Sequence, residues 1–193
     1  MDRMTLHEDI ESVLFTESEI EAVIDRLAAD VTNLYSGVEF TVVSILKGSC
    51  IFTSDLIRRI PIPLEWTFVG ASSYRSGMES GELEVRFLPE GREIEGRELL
   101  LVDDILDTGR TLVHVRDDLL RRGARQVRTC VLLDKPARRV VPVTPDLRGF
   151  EVDDRFVVGY GLDLAGRYRN LPYVGGLRAD VLERLSRAVS RGS

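Results

Sequence analysis

Strand-length apolar runs recur along the chain with helical patterns between them, and this alternation narrows the fold more than any other feature. The runs FTVVSIL (40–46), LEWTFVGA (64–71), ELLLVD (98–103), VRTCVLLD (127–134) and RFVVGY (155–160) read as strands. Thr16-Glu17-Ser18-Glu19 fits a capping box, and Ile20, Val23, Ile24, Leu27, Val31 and Leu34 follow at helical spacing, predicting an amphipathic helix ending near Gly37. CIFTSDLIRRI (50–60) predicts a helix stopped by Pro61 and Pro63. Leu112, Val115, Leu119 and Leu120 predict another that stops at Gly123, and residues 178–189 a last one. The Ser/Gly-rich stretch SSYRSGMESGEL (72–83) reads as a mobile loop between strands. Strands alternating with helices predict an α/β fold, a mostly parallel twisted sheet flanked by helices. The sequence shows no internal repeat.

Composition sets the outer bounds. A chain of 193 residues is expected to form one domain with a real core. The formal net charge of −6 argues against non-specific binding to nucleic acid or a membrane surface. Cys50 and Cys130 both stand in apolar surroundings, which reads as buried, reduced thiols in a cytoplasmic protein. The N-terminal stretch carries Asp2, Glu8, Asp9 and Glu11 with no apolar core of a signal peptide. No apolar run approaches the roughly 20 residues of a membrane span.

In parallel α/β sheets, ligands bind where strands end at their carboxyl side. Each strand exit here carries polar or glycine chemistry: Lys47-Gly48, Asp103 to Thr111, Asp134-Lys135, and Gly161 to Asp163. The stretch LLLVDDILDTGRT (99–111) sets three carboxylates, Asp103, Asp104 and Asp107, before a Thr-Gly-x-Thr turn. The turn suits an anion, through backbone N–H groups and a helix N-terminus. The alternative use of the same residues is plain N-capping of the following helix by Asp107 or Thr108. A nucleotide-binding GxxxxGK[ST] loop is excluded, because Asp104 and Arg110 stand where Gly and Lys are needed. VGYGLDLAG (158–166) lacks the third glycine of a dinucleotide fingerprint. Asp103 and Asp104 read as a solvated strand end, as acceptors for a sugar diol, or as ligands to Mg2+. A sugar with a 5′-phosphate satisfies both halves: phosphate to the turn, hydroxyls to the carboxylates. Of 26 basic residues only Lys47 and Lys135 are lysine, and both fall at strand exits. A compact ammonium at these two points suggests sites that a broad guanidinium cannot fill.

The run Leu100-Leu101-Val102-Asp103-Asp104-Ile105-Leu106-Asp107-Thr108-Gly109-Arg110-Thr111 resembles the phosphoribosyltransferase signature: apolar strand, two acids, two apolar residues, then D-T-G-x-T. The rest of the chain is similar to the hypoxanthine-guanine branch of that family, over about residues 8–180. SILKGSCIFTSDLIRRI is similar to its pyrophosphate loop, and SSYRSGMESGELEV to its closing loop. VLLDKPARR matches its purine-binding segment, and FEVDDRFVVGYGLDLAGRYRNLPYVGGL its base-stacking and metal segment. Asp103 stands where many relatives have Glu, and RSGMESG departs from the usual closing loop.

The resemblance implies a type I phosphoribosyltransferase fold, with a core over about 36–150 and a small hood from about 1–35 and 151–193. It implies transfer of phosphoribose from 5-phosphoribosyl 1-diphosphate to hypoxanthine or guanine, with Mg2+. Thr108, Gly109, Arg110 and Thr111 would hold the 5′-phosphate. Asp103 and Asp104 would face the ribose hydroxyls and the metal shell, and Lys47, Gly48 and Arg169 the pyrophosphate. Lys47 would follow a cis peptide. Ser73 and Tyr74 would belong to the closing loop. Asp107 would be the general base for the purine ring N–H. Lys135 would donate to the 6-oxo group and Phe156 would stack on the ring, although it also reads as a core aromatic. Val157 would offer its backbone; Asp163 would contact metal and, through its backbone, the 2-amino group of guanine. A homodimer or homotetramer is implied, with small-molecule substrates and no nucleic acid. Alternatives are transfer to xanthine or uracil, or a transcription regulator of the same fold that binds RNA, which would need a basic face.

Overall fold

The computed structural model describes residues 6–73 and 83–191. Its main sheet has six strands: Phe40–Leu46 (β2), Glu65–Ser73 (β3), Leu83–Phe87 (β4), Glu98–Leu106 (β5), Gln126–Asp134 (β6) and Leu147–Glu151 (β7). They lie in the order β4-β3-β2-β5-β6-β7. All neighbours pair in parallel except β4, which runs antiparallel along the β3 edge. A second sheet of three antiparallel strands has the order β1-β9-β8, from Ile10–Phe15 (β1), Val174–Leu177 (β9) and Val157–Val158 (β8).

The central strands carry mostly apolar runs because both faces are covered. Side chains alternate across the sheet. Val42, Leu100 and Val102 join one cluster, packed by Glu17–Leu34 (α1) and Ser49–Ile57 (α2) through Ile24, Leu27, Val31 and Phe52. Val43, Leu99, Leu101 and Val131 join the opposite one, against Leu112, Val115 and Leu119 of Arg110–Arg121 (α3). The expected capping box starts α1: Thr16 Oγ1 accepts from the Glu19 N–H at 3.3 Å, and Glu19 Oε2 accepts from the Thr16 N–H at 2.8 Å. Phe52 is fully buried where α2 leaves the β2 exit. Phe52→Ala should cost about 3–5 kcal/mol, read as a lowered chemical denaturation midpoint.

The two chain ends meet in the small sheet, where Val158, Tyr168, Leu171 and Leu177 pack with Val181 and Leu185 of Ala179–Arg191 (α4). The Tyr168 hydroxyl donates to Asp9 Oδ2 at 2.7 Å, and burial beside that carboxylate pushes the phenol up to about 12. Helix α1, within the expected hood span of 1–35, buries its apolar face in the main-sheet cluster, which also takes in Val157 of β8 and Val174 of β9.

Other differences have local causes. Only Val157 and Val158 of the expected strand 155–160 pair as strand, because positive φ at Gly159 (97°), Tyr160 (49°) and Gly161 (99°) turns the chain. Cys130 is buried, with its thiol pushed up to about 12 by burial, but Cys50 is exposed, since α2 turns Ser49, Phe52, Thr53 and Leu56 inward instead. Residues 72 and 73 of the expected mobile loop continue β3. Tyr74, like the rest of 74–82, lies outside the described residues. Among the described residues no helix is long and apolar enough to cross a membrane.

Candidate active site

The sheet order reverses between β2 and β5: β3 follows β2 on one side, and β5 and β6 continue on the other. Loops leaving two such strands diverge and open a crevice at their carboxyl ends. Here those loops are Lys47-Gly48 after β2 and Asp107–Gly109 after β5. The peptide between Leu46 and Lys47 is cis.

β5 does not end at Asp103 as the sequence suggests but runs on to Leu106. Both acids therefore sit on the strand. Asp103 is buried, and its Oδ1 accepts from the Asp104 N–H at 3.0 Å; Asp104 Oδ1 accepts from the Ile105 N–H at 3.0 Å. Burial, and then the neighbouring Asp104, push the Asp103 carboxyl well above the usual range. Burial also raises Asp104, with Arg169 pulling it back down. Such a pair is short of positive charge.

Asp104 lies directly against the β2 exit. A Cβ on Gly48 would stand 1.6 Å from Asp104 Oδ2, so only glycine admits the carboxylate there. From the other side, Gly161 presses on the Gly48 carbonyl: its Cβ would fall 2.1 Å from that oxygen, at a φ of +99°. The Arg169 Nη1 donates to Gly161 O, its Nη2 pairs with Asp163 Oδ1 at 2.6 Å, and Asp163 Oδ2 accepts from the Gly166 N–H at 2.7 Å. Gly48, Asp104, Gly161, Asp163 and Arg169 thus form one cluster. Gly161→Ala should destabilise the fold by at least about 1–2 kcal/mol, read as a lowered melting temperature, and should displace the Lys47-Gly48 loop.

One side chain of the Asp107–Thr111 turn reaches the start of its helix. The N-cap position of α3 is Gly109, in the left-handed region at φ +85°, and of the two expected caps it is Thr108 whose hydroxyl accepts from the Arg110 N–H, at 3.4 Å. The first N–H groups of α3 keep the geometry of an anion site. Asp107 has one buried oxygen, Oδ1, without an aligned hydrogen-bond donor; Arg138 Nε stands 2.9 Å from it as an ion pair. Arg110 is exposed and Thr111 half-buried at the start of α3.

On the β6 side, Lys135 is buried and its Nζ donates to the Arg155 carbonyl at 2.5 Å, next to Phe156 and Val157. The Lys135 N–H donates to Leu106 O at 2.9 Å, which joins this exit to that of β5. Phe156 is half-buried against the small-sheet cluster, and Val157 is buried in β8. Ser73 ends β3.

Asp163 does not gather with Asp103 and Asp104 in a three-carboxylate group. Its carboxylate is taken by Arg169 and the Gly166 N–H, and among the described residues no three His, Cys, Asp or Glu side chains form a metal-holding group. Arg138 and Arg139, which also surround the β5 exit, were not legible as site residues. In a chain with 24 arginines, one more arginine carries no flag.

A family model for the phosphoribosyl transferase domain matches residues 13–164. The chain belongs to the phosphoribosyltransferase family. Over 166 residues it is 45% identical to a hypoxanthine phosphoribosyltransferase of Salmonella typhimurium, spanning 84% of this chain and 93% of that protein. It is 43% identical over 178 residues, 92% of this chain, to the bifunctional protein TilS/HprT of Listeria monocytogenes, of whose length the match spans 27%. A solved hypoxanthine phosphoribosyltransferase from Staphylococcus aureus aligns with a TM-score of 0.86 at 40% identity, covering 93% of this chain and 98% of that one. The phosphoribosyltransferase match takes in every strand exit described above, whereas Arg169 lies just beyond its last residue.

Proposed function

We propose that the chain transfers the 5-phosphoribosyl group of 5-phosphoribosyl 1-diphosphate to hypoxanthine or guanine, giving the nucleoside monophosphate and pyrophosphate. One observation carries this reading most: an anion turn at a helix start, an adjacent carboxylate pair with Asp103 buried, and both of the chain's lysines meet at the exits of β2, β5 and β6. The relatives named hypoxanthine phosphoribosyltransferase over nearly their whole length support the substrate.

In the reaction the purine ring nitrogen bonds to C1′ as the C1′–diphosphate oxygen bond breaks. The Thr108–Thr111 amides and hydroxyls grip the 5′-phosphate, and Lys47 with the Gly48 N–H meets the diphosphate. Arg169 turns from Asp163 to clamp the same leaving group. Asp103 and Asp104 accept from the ribose hydroxyls and set negative charge beneath a sugar that turns cationic in the transition state. Asp107 takes the proton from the purine N–H. Lys135 donates to the 6-oxo oxygen, Phe156 stacks on the ring, and the backbone of Val157 and Asp163 meets its edge. Closure over the site falls to Ser73 and Tyr74.

The donor set fits Mg2+. Two adjacent carboxylates with raised proton affinity welcome a dication, and Mg2+ is commonly held by one or two carboxylates with waters and substrate phosphates completing the shell. Asp103 and Asp104 would hold it, with Asp163 available once Arg169 turns to the diphosphate. Bound there, it would neutralise charge on the leaving pyrophosphate.

Two free cysteines, one buried, suit a cytoplasmic enzyme. A homodimer or homotetramer is the assembly the family resemblance supports. Formation of inosine 5′-monophosphate from hypoxanthine, diphosphate substrate and Mg2+ tests the reading. Product should require all three components; an inert mixture under these conditions would remove the proposal.

A further inference from the structure

The Arg139 guanidinium gathers four acceptors from three segments. Nη1 donates to Leu106 O at 2.9 Å and to Asp107 O, Nη2 to Asp134 Oδ1, and Nε to Val143 O at 3.2 Å. The side chain is 13% exposed and that of Asp134 4%. Arg148 Nη1 backs Asp134 from its other oxygen at 3.3 Å. Two backbone bonds close the same junction, since the N–H groups of Val140 and Val141 both donate to Thr108 O at 3.0 Å. The segment after β6 is therefore fastened to the β5 exit before, at and after Asp107. None of the reacting groups of the proposed transfer is Arg139 or Asp134.

We propose that Arg139 is a positioning residue for the transfer. It fixes the backbone of Asp107 and the entry to the Thr108–Thr111 loop against the β6 exit, so that the phosphate cradle and the Asp107 carboxylate keep one register. This deepens the function proposed above and rests on it. A guanidinium is planar, with donors at fixed angles, so it holds three carbonyls and a carboxylate together; a lysine ammonium on a flexible stem holds a point and sets no plane. The fork reaches Asp107 through its main-chain carbonyl, which fixes the residue while leaving its carboxylate available to the base. The same guanidinium neutralises Asp134, a carboxylate that burial would otherwise strand without compensation.

Arg139→Lys, Arg139→Gln and the double variant Asp134→Asn/Arg139→Gln test this, with initial-rate kinetics and thermal melting on each. The single Gln variant leaves Asp134 with only Arg148 and is expected to melt early. The double variant removes the buried charge along with the fork, so it restores melting without restoring the register. In Arg139→Lys and in the double variant, the KM for the diphosphate should rise about tenfold, part of what a misplacement of about 1 Å costs. Their kcat should also fall, while the KM for hypoxanthine stays unchanged. A merely structural role would lower the active fraction, hence kcat alone, in step with melting. A stable double variant with wild-type KM for the diphosphate, or losses that recover fully with melting temperature, would overturn the proposal. The wild-type chain in the same assay separates the two levels: no turnover there refutes the reaction itself, and normal turnover with indifferent variants refutes only the role of Arg139.

Discussion

Asp107→Asn is expected to bind 5-phosphoribosyl 1-diphosphate as the wild type does and to turn it over about 10²–10⁴ times more slowly, the usual contribution of a positioned general base. The substitution keeps the shape of the side chain and the bond that the Asp107 carbonyl accepts from Arg139. Since the hydroxyl that bonds the first N–H of α3 is that of Thr108, Asn at 107 removes no helix cap, and melting should hold. What it removes is the negative charge and basicity of a carboxylate whose Oδ1 has no aligned donor. Arg138, paired at 2.9 Å, stands ready to balance that charge and also reaches Asp154 at 3.1 Å. Single-turnover kinetics with the diphosphate pre-bound separate chemistry from binding. Wild-type turnover in this variant would take Asp107 out of the mechanism.

Lys135→Gln is expected to fall hardest on 6-oxopurines. A hydrogen bond to a charged donor contributes about 1.5–3 kcal/mol, roughly 10–10²-fold in kcat/KM. Adenine places an amino group where hypoxanthine has its oxo oxygen, so a lysine there rejects adenine by leaving donors facing donors. The variant should lose hypoxanthine and guanine activity by that factor while its poor use of adenine hardly changes. The ratio of the two kcat/KM values is the readout. Equal loss on every base would show that Lys135 supports the fold instead, for which its bond to the Arg155 carbonyl offers a route.

Much of the site was legible because the chemistry is concentrated where physics puts it. β2 matched its expected span residue for residue, since a strand buried on both faces is rich in apolar and β-branched residues. The two lysines stood out against a background of arginine, and both fall at strand exits of the main sheet. The same background hid Arg139. Its role depends on a fork reaching three segments that are distant in sequence, and no local pattern encodes that. β5 ran beyond its apolar part because Asp103 and Asp104 are strand residues whose carboxylates bond to the next N–H, so polarity was mistaken for a strand end. β1 and β9 went unseen for another reason. Their strand character comes from pairing with each other, and VGGL, Val174–Leu177, has little β propensity of its own. Tyr160 turns on a positive φ that favours glycine, held by a bond from its hydroxyl to Asp55 and by its N–H on Leu171 O, both tertiary contacts.

The central claim is that this crevice transfers phosphoribose to a 6-oxopurine and to little else. Mg2+-dependent pyrophosphate release from 5-phosphoribosyl 1-diphosphate, measured in parallel with hypoxanthine, guanine, xanthine, adenine and uracil, tests it most directly. Release with hypoxanthine or guanine, and none with adenine or uracil, is the predicted result. Release with uracil, or none with any base despite tight binding of the diphosphate, would contradict it.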